Sequence, residues 1–260
     1  MSPAPAPAVT APVSAGTANA LVFDHVTKVF PDGTHAVADA TLTVQPGEFV
    51  TIIGPSGCGK STLLKMASGL TDVTTGHITL PQSNIGYVFQ DATLLPWRTV
   101  RKNVELFAEL HGVAKNQRAT VAQDAIDLVG LKGFEGHYPR SLSGGMKMRA
   151  SLARSLTLKP AIFLFDEPFG AIDEITRDRL NTELMQLFLS ERFAGLFITH
   201  SITEAVYLST RVLVMSARPG RITASFEIPF EYPRTEDLRY TAEFAELTGA
   251  INYALREVHA

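Results

Sequence analysis

Phe49-Val50-Thr51-Ile52-Ile53-Gly54-Pro55-Ser56-Gly57-Cys58-Gly59-Lys60-Ser61-Thr62-Leu63-Leu64-Lys65-Met66-Ala67 contains three local structures in succession. Residues 49–53 are β-branched or aromatic and read as a strand, and the helix formers after Thr62 read as a helix. Between them lies Gly-x-x-x-x-Gly-Lys-Ser, the pattern that binds polyphosphate when it joins a strand to a helix. The glycines let backbone N–H groups turn toward one point. The following helix presents its positive end to the same charge. Lys60 adds a full positive charge, and Ser61 offers a hydroxyl to Mg²⁺. The pattern does not by itself separate kinase, GTPase and ATPase.

A second apolar run, Ala161-Ile162-Phe163-Leu164-Phe165, ends in Asp166-Glu167. In a parallel sheet ligands sit beyond the carboxyl ends of the strands, which predicts both carboxylates beside the phosphate loop. Asp166 suits a Mg²⁺ shell, and Glu167 is placed to polarise a water. Ser143, followed by Gly144 and Gly145, reads as an N-cap that opens a helix with exposed N–H groups. That predicts a second anion site, independent of the first.

The run Leu142-Ser143-Gly144-Gly145-Met146-Lys147-Met148-Arg149 resembles the signature sequence of ABC-type ATPases, with Met146 where glutamine is commoner. Phosphate loop, signature and acidic strand, with Gln90 and His200, stand in that family's order over about 21–220. The resemblance implies an α/β P-loop NTPase cassette with a mainly parallel core sheet, an antiparallel β subdomain and a helical subdomain inserted at about 91–158. It implies ATP and Mg²⁺ as cofactors. Gly54, Pro55, Ser56, Gly57, Cys58, Gly59, Lys60, Ser61 and Thr62 would cradle phosphate, and Phe30 would stack on adenine unless it belongs to the core. Ser61, Gln90 and Asp166 would hold the metal, while Glu167, Gln90 and His200 would act on the attacking water and the γ-phosphate. Ser143, Gly144 and Gly145 would close on ATP held by a second copy, with Asp173 linking the two sites.

Among ABC proteins the chain resembles the ATPase subunits of nitrate, sulfonate and taurine importers, through Met146, Leu94-Leu95-Pro96-Trp97-Arg98 and Ser216-Ala217-Arg218-Pro219-Gly220-Arg221. This implies a homodimer on the cytoplasmic face of the inner membrane, bound to integral permease subunits and indirectly served by a periplasmic binding protein. The cargo would be a small anion such as nitrate, a sulfonate, taurine or bicarbonate. Trp97 would be the permease dock, or else part of the helical core. Two other readings are a P-loop small-molecule kinase and a non-transport ABC module acting on nucleic acid or ribosomes.

Composition agrees with that reading. The 260 residues carry a net charge of −3, which gives no electrostatic reason to expect nucleic acid. One cysteine, Cys58, cannot form an internal disulfide. No run of about 18 apolar residues is present, which argues against a membrane span. Residues 1–18 are Pro/Ala-rich and predict a disordered tail, 19–232 the ATPase domain, and 233–260 a linker and helix. Strands are expected at 21–26, 41–44, 49–53, 85–89, 162–165, 196–199 and 212–215, the last four as parallel strands. Helical spacing puts Val104, Phe107 and Leu110 on one apolar face and Val121, Ala125 and Leu128 on another. Phe244, Leu247, Ile251 and Leu255 form a terminal amphipathic face. The other histidines (His25, His35, His77, His111, His137 and His259) are expected at the surface. The Cys58 thiol, inside the phosphate loop, is expected to react with maleimide and to be shielded by nucleotide.

Overall fold

The computed structural model describes residues 21–80 and 84–258. The 1–18 tail and His259 lie outside the described residues. In chain order the elements are β1 (Leu21–Val29), β2 (His35–Val44), β3 (Phe49–Ile53), α1 (Lys60–Ala67), β4 (Thr75–Thr79) and β5 (Ile85–Val88). Then follow α2 (Val100–Leu110), α3 (Lys115–Leu128), α4 (Gly144–Leu156), β6 (Ile162–Asp166), α5 (Glu174–Glu191) and β7 (Ala194–Ile198). The chain continues with α6 (Ile202–Leu208), β8 (Arg211–Met215), β9 (Ile222–Glu227) and α7 (Ala242–Glu257).

The main sheet has the order β5-β6-β7-β3-β8-β9. Its first five strands are parallel, and β9 pairs antiparallel with β8 at the edge. Every expected strand forms. Near-continuous apolar runs are what such strands need, because successive side chains point to opposite faces and both faces are covered. Phe49, Phe163, Phe165 and Phe197 enter one core with α2–α7, whereas Val50, Ile52, Leu164 and Leu196 enter the other with α1. Each such fully buried side chain contributes roughly 1.5–3 kcal/mol. A separate antiparallel sheet, β2-β1-β4, covers the α1 side. Strands β4 and β9 were not legible from periodicity, since β4 is almost wholly exposed and β9 is half-buried at an edge.

Parallel alignment brings the carboxyl ends of β5, β6, β7, β3 and β8 to one edge, about 4.8 Å apart. Gln90, Asp166 with Glu167, His200, the 54–62 loop and the 216–221 loop follow those five ends in that spatial order. The helices of the insert turn differently from expectation. Val100, Val104 and Ala108 are buried on α2, and Ala122, Ala125 and Ile126 on α3. Val104 and Ala125 are buried as expected, but Leu110 is 71% exposed and Leu128 46% exposed, so each apolar stripe is rotated from the expected one. The terminal face is as expected: Phe244 and Ile251 are buried, and Leu247 and Leu255 pack beside them.

Candidate functional site

Gly59 precedes α1 with φ 108° and no side-chain cap. A Cβ there would stand 2.6 Å from the Ala36 carbonyl oxygen, so this turn requires glycine. The uncapped helix end leaves its N–H groups free for an anion. Lys60 is 5% exposed, and its Nζ donates to the Gly54 and Pro55 carbonyls at 2.8 and 2.9 Å. It therefore carries its charge at the loop among carbonyl dipoles.

Ser61 Oγ donates to Asp166 Oδ1 at 2.7 Å, which joins the helix start to the end of β6. The Tyr87 hydroxyl lies 3.4 Å from Asp166 Oδ2. Burial, and then the Asp166 charge, push the Tyr87 hydroxyl well above its ordinary range, so it remains a donor. Glu167 adopts φ +47° while its N–H still donates to Ile198 at 3.0 Å. A left-handed non-glycine residue costs roughly 1–2 kcal/mol, and here the turn brings the carboxylate to the phosphate cavity. His200 Nδ1 stands 3.5 Å from Glu167 Oε2. A Cβ at Gly170 would lie 3.6 Å from Glu167 Oε2 and 3.8 Å from Gln90 Nε2, so the three functional groups border one small space.

Phe30, Ser56, Gly57, Gly59, Lys60, Ser61, Thr62 and Glu167 line one cavity of about 260 Å³, together with Thr34, Ala36 and Arg218. Phe30 is half-buried and also packs against the α1-side core, so its two readings are compatible. A larger cavity of about 400 Å³, between α4 and α5, contains neither Lys60 nor Asp166. Charge and backbone geometry, not size, mark the site.

One expectation changes, and one residue is added. The Cys58 side chain is 1% exposed and packs in the α1-side core, with its Sγ 3.8 Å from Lys60 Nζ, so the thiol is shut away from reagent. Lys60 is also not the only cation at the cradle. Arg218 Nε and Nη2 donate to the Gly57 carbonyl at 3.1 and 3.0 Å. The only sequence signal for Arg218 was its place after a strand whose neighbours all end at the site.

Ser143, Gly144, Gly145 and Asp173 are not among the residues lining the phosphate cavity. Ser143 caps α4 by accepting from the Met146 N–H at 3.3 Å, as expected. Asp173 caps α5 by accepting from the Thr176 N–H at 3.0 Å, and that bond holds its carboxyl below the usual range. Trp97 is 71% exposed and therefore outside the helical core, while Leu94 packs inward. His25, His35, His77, His111 and His137 are all at the surface.

The arrangement fits a nucleoside triphosphate: an uncapped helix end, a lysine without a carboxylate partner among the described residues and the Arg218 guanidinium border one cavity. It also fits Mg²⁺. Among the described residues no cluster of His, Cys, Asp or Glu could hold a metal alone. The Ser61–Asp166 pair instead suits a hard cation that completes its shell with water and phosphate oxygens.

Comparison with known proteins agrees with the geometry. Residues 37–170 match the ABC transporter family. An uncharacterised ABC transporter ATP-binding protein of Methanocaldococcus jannaschii is 44% identical over 247 residues, 91% of each chain. The taurine import ATP-binding protein of Rhizobium johnstonii is 41% identical, covering 85% of this chain and 89% of its own. The aliphatic sulfonates import ATP-binding protein of Bacillus licheniformis is 41% identical, covering 78% and 81%. The dimeric structure of a bacterial ABC transporter cassette superposes with a TM-score of 0.71 at 28% identity, over 81% of this chain and all of that one. The same cassette is also known as a dimer bound to ADP and Pi, with the same agreement.

Proposed function

The chain belongs to the ABC transporter family, and from that premise we propose that it is the ATP-hydrolysing subunit of an importer for small anions of the sulfonate and taurine class. The observation that carries the catalytic half is the meeting of Lys60, Glu167 and His200 at one edge of the sheet, beside a cavity of phosphate-binding backbone.

ATP enters with its phosphates against the 56–62 backbone, where Lys60 and the α1 N-terminus neutralise them. Phe30 offers its face to the base, and a stacked aromatic contributes on the order of 1 kcal/mol. Ser61 and Asp166 would hold Mg²⁺, with Gln90 beside them. The metal would supply positive charge that offsets the charge of the phosphates. Glu167 orients a water for in-line attack and takes its proton. His200, against the same carboxylate, fixes that side chain and donates toward the γ-phosphate. Lys60 stabilises the developing charge without reorganisation.

Two copies would meet head to tail, each α4 N-terminus closing on the nucleotide of the other. Among the described residues no helix is long and apolar enough to cross a membrane. The importer role therefore calls for separate permease subunits, with this chain at the cytoplasmic face and Trp97 as the docking contact. Trp97→Ala tests this. We expect ATP affinity of the isolated subunit within about twofold of wild type, because the exposed ring touches nothing in the cradle, and a reduced yield of permease on co-purification. Full co-purification would remove Trp97 from the interface.

A further inference from the structure

Residues 92–99, between Gln90 and α2, have no regular structure, yet buried polar side chains hold their backbone. Asn103 is 0% exposed; it accepts the Leu95 N–H at 2.7 Å and donates to the Leu95, Arg98 and Thr99 carbonyls at 3.1, 3.0 and 3.0 Å. Arg154, near the end of α4, is 4% exposed. Its Nη1 donates to the Thr93 carbonyl at 3.0 Å, and its Nη2 to the Ala92 carbonyl at 3.2 Å and the Thr93 hydroxyl at 2.9 Å. The guanidinium also lies 5.0 Å from the ring centre of Phe107 on α2.

Burying a cation is costly, and among the described residues burial alone perturbs Arg154, with no carboxylate to offset it. An apolar side chain would fill that space more cheaply. What the guanidinium adds is a planar fork that grips two consecutive carbonyls and a hydroxyl at once. The gripped residue, Thr93, has φ +48°, an unfavourable conformation for a β-branched side chain that only its surroundings can hold. The helix bearing Arg154 begins at Ser143, 11 residues earlier and about 16 Å along the axis. Trp97 stands four residues beyond Thr93.

We infer that Arg154 is a positioning residue that makes the 92–98 segment travel with α4, so that a phosphate engaged at the Ser143 end of the helix is felt at the Trp97 surface. This rests on the reading that Ser143 meets nucleotide held by a second copy. Without the fork, α4 would still bind phosphate but would reach the segment only indirectly, through its packing on α2 and the Asn103 hydrogen bonds.

Trp97 is the only tryptophan, so its emission reports on the segment directly. The experiment uses the full chain carrying Glu167→Gln, with and without Mg-ATP, following mass by light scattering and Trp97 emission in parallel. The parent is expected to dimerise with ATP and to change its emission. Adding Arg154→Lys, which keeps the charge but not the fork, should leave ATP affinity and dimerisation intact and remove at least half of the emission change. Thr93→Gly, which relieves the backbone and loses only the hydroxyl contact, should remove a smaller part, and it serves if the lysine variant does not fold. An undiminished response in both variants, or a parent dimer with no response at all, overturns the coupling. A parent that binds ATP and stays monomeric overturns the closure reading on which the coupling rests. Loss of dimerisation on Arg154→Lys also overturns the inference, since Arg154 would then serve the Ser143 end itself.

Discussion

Helices α1 and α4 both begin on glycine-bearing turns with no acidic residue in the first turn, so both present an uncompensated positive end. Their surroundings differ. The start of α1 has Gly59 in a left-handed turn, no side-chain cap, a lysine one residue in, and a cavity shared with Phe30 and Glu167. The start of α4 is capped by its own Ser143, and Gly145 is buried against Thr176 and Leu180. One end is furnished for an anion by its own chain. The other has a donor set but no opposing wall, which is what a half-site looks like when a second molecule completes it.

Four changes test that contrast, in order of expected effect. Glu167→Gln should lower ATP turnover by roughly 10²–10⁴-fold, the scale of a lost general base, while ATP still binds. Phosphate release measured beside a nucleotide titration decides it, and a wild-type rate would remove Glu167 from the mechanism. Lys60→Ala should cost about 3 kcal/mol of nucleotide binding, roughly two powers of ten, because a charge-assisted contact to phosphate is lost. Calorimetry reads this directly, and unchanged affinity would break the assignment of the α1 site.

At the α4 end the two substitutions of one residue should separate. In the Glu167→Gln background, Ser143→Arg should abolish the ATP-dependent dimer by filling the trans site, yet leave ATP affinity near the parent's. Ser143→Ala removes only a cap and should cost about 1 kcal/mol of stability in a denaturant titration. If Ser143→Arg weakened ATP binding to the monomer, the half-site reading would fail. The Cys58 thiol gives a separate check. Native protein should label with maleimide roughly 10-fold or more slowly than unfolded protein, because reaction waits on local opening. Mg-ATP should alter that rate little beyond its effect on stability. Rapid labelling blocked by ATP would put the thiol in the cradle after all.

Much of the site was legible because its parts are local. A glycine loop with lysine and serine, two carboxylates after an apolar run, and a serine before two glycines each state their chemistry within a few residues. The alternation of Ile162, Phe163, Leu164 and Phe165 between two cores needed no more than knowing that both faces of a parallel strand are covered. What was missed depends on neighbours remote in sequence. Cys58 lies within the loop, but its side chain turns into the core beside Met215 and Leu213. Leu110 and Leu128 fit a helical stripe, but the stripe's direction is set by how α2, α3 and α4 meet. The contacts of Arg218 and Arg154 were not legible because their partners, the Gly57 and Thr93 carbonyls, are backbone atoms that any residue supplies.

The sequence by itself determined which candidate chemistry was present: a phosphate-loop pattern, a carboxylate pair and a second glycine-bearing helix start, all properties of contiguous residues and their backbone geometry. Only the tertiary structure decided which of these act together. The order β5-β6-β7-β3-β8 sets Gln90, Glu167, His200, the phosphate loop and Arg218 along one edge, while Ser143 is not among the residues lining the cavity that Glu167, the phosphate loop and Arg218 share. Strand order is a matter of long-range pairing between runs of similar apolar residues. Those runs say that a strand will be buried on both faces, but not which strand will lie beside it.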